Sequence, residues 1–282
     1  MAERLQPTTN YAMVNGLRLR YLEWGRPGAL PVVCVHGYTS STEAFNALAR
    51  RIQDRAHIIA MDVRGHGESA WSADGAYQYA DQAGDLAALV DRLGIERFVL
   101  IGTSMGGVIA MVYAGQHGDR LRALVLNDIG PDVEAGSGRI TQTVGSRPYD
   151  FASLDEAMQY RRETSPITAA RPLEDQEETA RGVLRERPDG RWAWKMDPAY
   201  IEQRVKQGPP KRPPLWPVLE TLQCPTQLVW GTDSDVLSEA QAKRMVAALP
   251  KGELVSVPGI GHAPTLVEPP VLAALDRLLA AV

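Results

Sequence analysis

The sequence predicts an α/β fold in which a mostly parallel central sheet carries helices on both faces. Short, continuous apolar runs recur along the chain, a pattern typical of strands that are buried on both faces of a parallel sheet. Helical patterns separate most of these runs, as the crossover connections of a parallel sheet require. The alternation is interrupted once, between Leu126 and Gln227, which predicts one long insertion. Apolar residues make up 44% of the 282 residues and charged residues 23%, values typical of globular chains.

The expected strands and helices follow in chain order. Residues 13–22 alternate in polarity around Asn15 and Gly16, which predicts a hairpin with a two-residue turn. Further strands are expected at residues 31–35, 58–61, 98–101, 124–126, 227–230 and 254–257. Helices are expected at about residues 42–53, 79–93, 107–117, 238–249 and 269–281. These elements define a core domain of residues 1–130 and 218–282.

The insertion, residues 131–217, differs in composition from the rest of the chain. It holds 11 of the 20 prolines, amphipathic stretches at residues 154–164 and 173–185, and an aromatic segment at 191–195. A disordered linker is the alternative, but apolar side chains in the insertion offer surface to bury, namely Trp192, Trp194, Tyr200, Val205 and Trp216. The simpler interpretation is a helical cap that stands over one end of the sheet.

The charge balance and the scattered histidines exclude several classes of function. A net charge of −4 and an isoelectric point of about 5.8 indicate no basic surface for nucleic acid or anionic lipid. The five His and the two Cys, Cys34 and Cys224, show no metal-ligand spacing. We therefore expect no metal, no cofactor, and a small-molecule substrate as the partner. The oligomeric state is open between a monomer and a homodimer.

Two segments bear on the compartment. The first six residues lack the apolar core of a secretory signal, and nothing favours a bridge between the two cysteines, so a cytoplasmic location is expected. Residues 98–118 carry no Asp, Glu, Lys or Arg, but five glycines and several polar side chains interrupt the apolar run. This composition favours a buried strand that turns into a buried helix over a membrane span.

Ser104 is the candidate nucleophile. It is the central residue of a Gly-x-Ser-x-Gly motif at residues 102–106, which follows an apolar strand and precedes a helix. The sharp turn of such a motif holds the serine side chain clear of the sheet and leaves room only for small neighbours, hence Gly102 and Gly106. The N-terminus of the following helix favours negative charge that develops at the site. A tight turn with an inert serine is the alternative interpretation.

His262 is the candidate base that a weakly nucleophilic serine hydroxyl needs. It lies in a glycine-rich loop after the last strand, at the end where open parallel sheets bind ligands. It also comes last in the order serine, acid, histidine. His57 begins a strand and His117 ends a helix, so structural or solvated positions explain both of them.

From about Tyr11 to Val282 the chain resembles the α/β-hydrolase superfamily. Four motifs carry the resemblance: Val-His-Gly-Tyr at 35–38, Asp-Val-Arg-Gly-His-Gly-Glu-Ser at 62–69, the serine motif, and Gly-His at 261–262. The resemblance implies that the insertion is the helical cap common in this family.

The resemblance also implies an oxyanion hole. Its donors would be the backbone N–H groups of Tyr38 and Met105, and such donors are usually the largest single contribution to catalysis. The place of His36 in its motif explains that residue without a proton-transfer role. The stretch 62–69 is interpreted as a structural turn that braces the site.

The acid that orients the histidine is left open by the sequence. Members of the family usually carry it as Gly-x-x-Asp after the penultimate strand, but Ser234 stands at that position here, flanked by Asp233 and Asp235. Some branches carry the acid one strand earlier, where this chain has Asp128. Holding the imidazole tautomer and stabilising the imidazolium is open to an acid at either strand end. We favour Asp128, with Asp235 and then Asp233 as the alternatives.

A serine nucleophile predicts acyl transfer to water. It argues against the dehalogenase and epoxide-hydrolase branches, which use an aspartyl ester. The favoured reaction is hydrolysis of a carboxylic ester, a small soluble ester or lactone, through an acyl-enzyme on Ser104. Hydrolysis of a carbon–carbon bond in a ring-cleavage product, or of an activated amide, uses the same residues and is the alternative. A non-catalytic binding protein of this fold is a more distant one.

The substrate pocket is expected between the strand ends and the cap. Tyr38 and Met105 would line its floor, and Trp192, Trp194 and Met196 would face it from the cap. Packing of the two tryptophans between the cap and the main domain explains their presence equally well.

Overall fold

Strands and helices alternate along the chain as the sequence predicts. In the computed structural model, which describes residues 6–132, 134 and 136–282, the strands are β1 (Thr8–Val14), β2 (Leu17–Trp24), β3 (Leu30–Val35), β4 (Ala56–Met61), β5 (Phe98–Thr103), β6 (Leu121–Asn127), β7 (Asp150–Phe151), β8 (Leu184–Glu186), β9 (Trp192–Trp194), β10 (Thr226–Gly231) and β11 (Gly252–Val257). The α-helices are α1 (Asn46–Ile52), α2 (Tyr79–Arg92), α3 (Met105–His117), α4 (Gly136–Gly145), α5 (Leu154–Thr164), α6 (Pro166–Ala169), α7 (Leu173–Val183), α8 (Pro198–Gln207), α9 (Trp216–Thr221), α10 (Glu239–Ala248) and α11 (Pro269–Ala280). Residues 1–5, which form most of the segment considered for a secretory signal, lie outside the described part, as do Val133 and Ala135 of the insertion.

The central sheet has eight strands in the order β1-β2-β4-β3-β5-β6-β10-β11. The β1–β2 hairpin and the β2–β4 pair are antiparallel, and the other neighbouring strands are parallel. Asn15 and Gly16 have φ angles of 49° and 77°, the left-handed conformation that a two-residue hairpin turn requires. The predicted α/β fold is confirmed.

Helices cover both faces of the sheet. Along β3, Val33 and Val35 pack into a cluster with residues of α2, α3 and α10, whereas Val32 and Cys34 pack with α1 and α11 on the other face. The alternation follows from the period-two geometry of a strand, and it produces two apolar layers. Cys34 and Cys224 are free, buried thiols in different layers.

The uncharged segment 98–118 forms β5 and α3, as expected of a strand that turns into a helix. Strand β5 lies between β3 and β6, and α3 is buried from Met105 to Ala114. Within the part of the chain that the structure describes, no helix is long and apolar enough to cross a membrane.

The insertion is not purely helical. Strands β7, β9 and β8 form a small antiparallel sheet beside its helices. The amphipathic stretch at 173–185 forms α7 only to Val183, and Leu184 then begins β8 opposite Trp194. Aromatic residues favour strands. However, β9 forms by pairing with two segments that are distant in sequence, and such pairing produces no local periodicity.

The insertion has a small apolar core of its own, in contrast to the disordered linker that was the alternative. This core consists of Phe151, Ala157, Met158, Ala180, Val183 and Leu184, all buried. The expected boundary at residue 217 falls inside α9, so the last helix of the insertion runs into the core domain. The division into a core domain and a cap stays a prediction.

Charged side chains fasten the insertion to the core domain. Arg50 of α1 pairs with Asp175 at 3.0 Å and with Glu178, both on α7. The Asn46 side-chain amide donates to Glu178 at 2.8 Å. These contacts join α7 to the layer that covers one face of the sheet.

Candidate active site

Ser104 lies at the sharp turn between β5 and α3. Its φ of 54° and ψ of −116° lie outside the regions usual for a residue that carries a side chain. Two residues before and two residues after Ser104 only glycine fits, because a Cβ atom on Gly102 would lie 2.4 Å from the Gly106 carbonyl oxygen and one on Gly106 would lie 2.0 Å from the Val35 carbonyl oxygen. The Ser104 N–H donates to the Asn127 carbonyl oxygen at 2.9 Å, which ties the turn to the end of β6.

The His262 ring lies between Ser104 and Asp128. Its Nε2 is 2.8 Å from Ser104 Oγ, and its Nδ1 is 2.8 Å from Asp128 Oδ2. The three residues follow β5, β6 and β11, and they meet because the carboxyl ends of parallel strands share one edge of the sheet. An imidazole in this position can accept the hydroxyl proton while the carboxylate holds its Nδ1–H in place.

Asp128 is held in one orientation by contacts with β10. Its side chain is fully buried, and its φ of 56° turns the chain sharply after β6. Oδ1 accepts the Gly231 N–H at 3.2 Å, and the Asp128 N–H donates to the Val229 carbonyl oxygen at 2.8 Å. The carboxylate therefore has one oxygen on the backbone of β10 and the other on His262.

The alternative acids occupy other positions. Asp235 is exposed, and its Oδ2 accepts from Arg139 Nε at 2.7 Å. Asp233 is also exposed and accepts from its neighbour Thr232 at 3.1 Å. Ser234, at the position usual for the acid, accepts the backbone N–H groups of the next turn. Both ring nitrogens of His262 already have partners, so the geometry favours Asp128, whose role stays a prediction.

A family model of the alpha/beta hydrolase fold matches residues 31–269. The chain belongs to the α/β-hydrolase fold family. The 3-hydroxybutyrate-oligomer hydrolase of Cupriavidus necator is 31% identical, over 91% of this chain and 90% of that protein. Esterase YbfF of Escherichia coli is 27% identical, over 88% of this chain and 92% of that protein. The crystal structure of an alpha/beta hydrolase from Novosphingobium aromaticivorans matches with a TM-score of 0.87 at 34% identity, over 98% of this chain and 99% of that one.

In this α/β-hydrolase, the loop after β3 lies directly against the serine. A Cβ atom on Gly37 would be 3.4 Å from Ser104 Cβ. The next carbonyl oxygen, that of Tyr38, accepts from His66 Nε2 at 2.6 Å. Met105 follows Ser104 as the first residue of α3. The backbone of both expected oxyanion-hole residues thus adjoins Ser104, and their role as donors stays a prediction.

Contacts of two family motifs, at 35–38 and 62–69, hold this loop in place. The buried His36 ring accepts the Val63 N–H at Nε2, at 3.0 Å, and donates from Nδ1 to the Gly37 carbonyl oxygen at 2.8 Å. Burial lowers the pKa of His36 to about 4, so the ring is neutral at pH 7. Asp62 accepts from Arg20 at 3.1 Å in the same region. These contacts agree with the structural roles expected for both motifs.

The α/β-hydrolase has a cavity of about 30 Å³ beside Ser104, which is room for one or two water molecules. Its walls come from both the core domain and the insertion. The lining residues are Tyr38, Tyr79, Ser104, Met105, Val108, Ile129, Ile140, Arg204, Pro209, Arg212 and Val236. Tyr38 and Met105 are both in this lining, and their place in the substrate pocket stays a prediction.

Trp192, Trp194 and Met196 are not in the lining of this cavity, which corrects their expected position. Trp194 packs on Phe151 at 5.6 Å between ring centroids, within the small core of the insertion. The Trp192 ring faces the Arg181 guanidinium. Met196 is buried in the main apolar cluster. Packing of the insertion therefore accounts for the aromatic segment.

The sequence interpretation missed Arg204 and Arg212 as lining residues. Arg204 lies one helical turn after Tyr200 on α8, and both side chains are buried. A charged residue on the buried face of an amphipathic helix is the signal that could have revealed it. Among the described residues, no group of three or more His, Cys, Asp or Glu could hold a metal ion.

Proposed function

We propose that the protein is a serine hydrolase that cleaves a carboxylic ester through an acyl-enzyme on Ser104. The observation that carries the proposal is the pair of 2.8 Å contacts, from Ser104 Oγ to His262 Nε2 and from His262 Nδ1 to Asp128. Two relatives support the ester as the bond, one named as a hydrolase of 3-hydroxybutyrate oligomers and one as an esterase.

The first half-reaction forms the acyl-enzyme. His262 takes the hydroxyl proton as Ser104 Oγ attacks the ester carbonyl carbon, and Asp128 stabilises the imidazolium. The N–H groups of Tyr38 and Met105 donate to the oxyanion of the tetrahedral intermediate. His262 then gives its proton to the alcohol oxygen as the carbon–oxygen bond breaks. In the second half-reaction, water takes the place of Ser104 Oγ as the nucleophile and His262 again moves the proton.

The insertion acts as the cap of this site in the proposal. It supplies Ile140, Arg204, Pro209 and Arg212 to the cavity wall, whereas the core domain supplies the nucleophile. In this proposal the core domain performs the chemistry, and the insertion shapes the substrate pocket.

The test combines turnover with labelling of the serine. A chromogenic short-chain ester should give a burst of one equivalent of alcohol followed by steady turnover, because an acyl-enzyme accumulates. A phosphonylating serine reagent should add to Ser104, and Ser104→Ala should lose both signals. Turnover by Ser104→Ala at the wild-type rate, or no turnover and no adduct in the wild type, would contradict the proposal. The second result would favour the binding-protein alternative.

A substrate panel separates the remaining alternatives. Carbon–carbon and amide hydrolysis would use the same three residues, so the site geometry does not distinguish them. Esters, lactones, vinylogous diketones and activated amides assayed side by side should give the highest kcat/KM for an ester. A higher value for a diketone or an amide would replace the ester in the proposal.

A further inference from the structure

A buried guanidinium with two unpaired nitrogens, that of Arg204, lines the cavity beside Ser104. Arg204 is 6% exposed, and its Nε and Nη1 atoms have no hydrogen-bond partner among the residues that the structure describes. It lies in the lining of the same cavity as Ser104. The unpaired Nε and Nη1 atoms of Arg204 therefore belong to a residue of the cavity beside Ser104.

The aromatic contacts of Arg204 do not satisfy these donors. The guanidinium carbon lies 3.7 Å from the centroid of the Tyr38 ring, a cation–π contact. Stacking covers the face of the planar group, whereas its N–H bonds point outward in the plane. A buried charge is costly unless it is paired and hydrogen-bonded, so the cation and its in-plane donors call for an anionic acceptor.

The rest of the cavity wall fits an anionic group. Within the described part of the chain, the lining contains a second guanidinium, that of Arg212, and no Asp or Glu. Arg212 Nη1 donates to the Gly130, Pro131 and Asp132 carbonyl oxygens, so its position is fixed. The Tyr38 hydroxyl is also buried, and no described residue forms a hydrogen bond with it. The wall therefore offers positive charge and a neutral donor next to apolar side chains.

We propose that Arg204 binds a free carboxylate on the substrate, so that the esters cleaved at Ser104 carry a negative charge. The proposal rests on the proposed function and deepens it by naming a substrate class. The fork of N–H donors in a guanidinium matches the two oxygens of a carboxylate, which makes this the best single occupant. The carboxylate belongs either to the acyl group or to the alcohol group of the ester.

Two pairs of esters distinguish these two cases. For the acyl side, mono-4-nitrophenyl glutarate is compared with its methyl ester, which has no charge. For the alcohol side, 3-acetoxybutyrate is compared with methyl 3-acetoxybutyrate. The wild type should favour the anionic member of one pair roughly 10- to 100-fold in kcat/KM, the range of a hydrogen bond to a charged group.

A matched pair of variants on α8 assigns the preference to Arg204. Arg204→Met removes the charge and should abolish the preference, mainly by raising KM for the anionic ester more than for its neutral counterpart. Lys206→Met removes a charge from the same helix and should keep the preference, since Lys206 is exposed and pairs with Glu202. Equal losses on anionic and neutral esters in Arg204→Met would overturn the proposal. The proposal would also be overturned if the wild type hydrolysed the neutral esters without preferring an anionic one. That result would leave the proposed function intact.

A second measurement needs no variant and decides the question if Arg204→Met does not fold. Glutarate and glutaramide are compared as inhibitors of neutral-ester hydrolysis by the wild type. Competitive inhibition by glutarate at least 10-fold tighter than by glutaramide supports the carboxylate subsite. Equal inhibition, or none by either, would show that solvent satisfies Arg204 and would overturn the proposal.

Discussion

Burial separates the aspartate beside His262 from the aspartates of the following loop. Asp128 is fully buried, and the Gly231 N–H fixes one of its oxygens, so the other is held toward the imidazole. Asp235 is exposed and pairs with Arg139. The sequence left these candidates open, because an acid after β6 and an acid after β10 can both reach the histidine. What distinguishes them is the packing around each side chain, which the sequence does not show.

Asp128→Asn should lower kcat by roughly 10³- to 10⁴-fold, because an amide favours the wrong imidazole tautomer and does not stabilise the imidazolium. Steady-state kinetics on a short-chain ester measure the loss. Asp235→Asn is the matched control and should stay within about threefold of the wild type. The opposite ranking of the two variants would assign the acid to Asp235.

The stability of the fold should fall below pH 6.5 through His36. Burial lowers its folded pKa to about 4 from the usual 6.5, so between these values the unfolded chain binds a proton that the folded protein does not. The free energy of unfolding should therefore drop by about 2 kcal/mol between pH 7 and pH 5 from this residue alone.

Urea unfolding of the wild type and His36→Gln at both pH values isolates the contribution of His36. Other buried groups titrate in both proteins, so the difference in pH dependence reports this ring. The variant should be less stable at pH 7 but should lose less stability on acidification. An identical pH dependence in the two proteins would show that His36 does not titrate in this way.

At the scale of elements, the sequence predicts helices and strands that are formed by one continuous run of residues. It does not predict short strands that exist only through pairing. Helix α5 coincides with the amphipathic stretch at 154–164, and β3, β4 and β5 contain the predicted apolar runs, since each is encoded by residues close in sequence. Strands β8 and β9 have three residues each and exist through pairing across the insertion. A local pattern carries little information on such pairing, which depends on the packing of distant side chains.

The turn between β5 and α3 should tolerate no side chain at Gly106. A Cβ atom there would lie 2.0 Å from the Val35 carbonyl oxygen, which is backbone and cannot rotate away. Gly106→Ala should lower the free energy of unfolding by roughly 3 kcal/mol or more, as measured by urea unfolding.

The control for this turn is Gly84→Ala in α2. The nearest heavy atom to a Cβ there is 4.0 Å away, so alanine should leave stability unchanged or raise it by up to about 1 kcal/mol through helix propensity. Equal stabilities of the two variants would show that the close approach at Gly106 does not constrain the turn.

At the scale of the molecule, the sequence predicted the sheet and the motifs that hold Ser104 and His262, but not the cavity wall. Ser104 and His262 stand in motifs whose strand context fixes their position. Arg204 and the displaced tryptophans depend on how the insertion packs, and that packing involves contacts between residues far apart in the chain. The polar contacts between α1 and α7 are an example, since they join residues 46–50 to residues 175–178.

Docking of the insertion should weaken when Arg50 is removed. Arg50→Ala leaves the half-buried Asp175 and Glu178 without their shared cation, so the free energy of unfolding should fall by about 1–2 kcal/mol. Urea unfolding and the rate of proteolysis within residues 173–183 measure the effect. Arg55→Ala, which breaks an exposed pair with Asp276, should change stability by less than about 0.5 kcal/mol. Equal effects of the two variants would show that the contact does not fasten the insertion.

The narrow space beside Ser104 affects the rate at which substrate associates with the protein. The cavity holds about 30 Å³, and insertion side chains such as Arg204 and Pro209 form part of its wall, so we expect a substrate larger than this space to displace those side chains outward as it binds. We therefore expect association to be slower than diffusional encounter and to follow the opening frequency of the insertion. Variants that loosen the insertion would then bind substrate faster even as they unfold more easily.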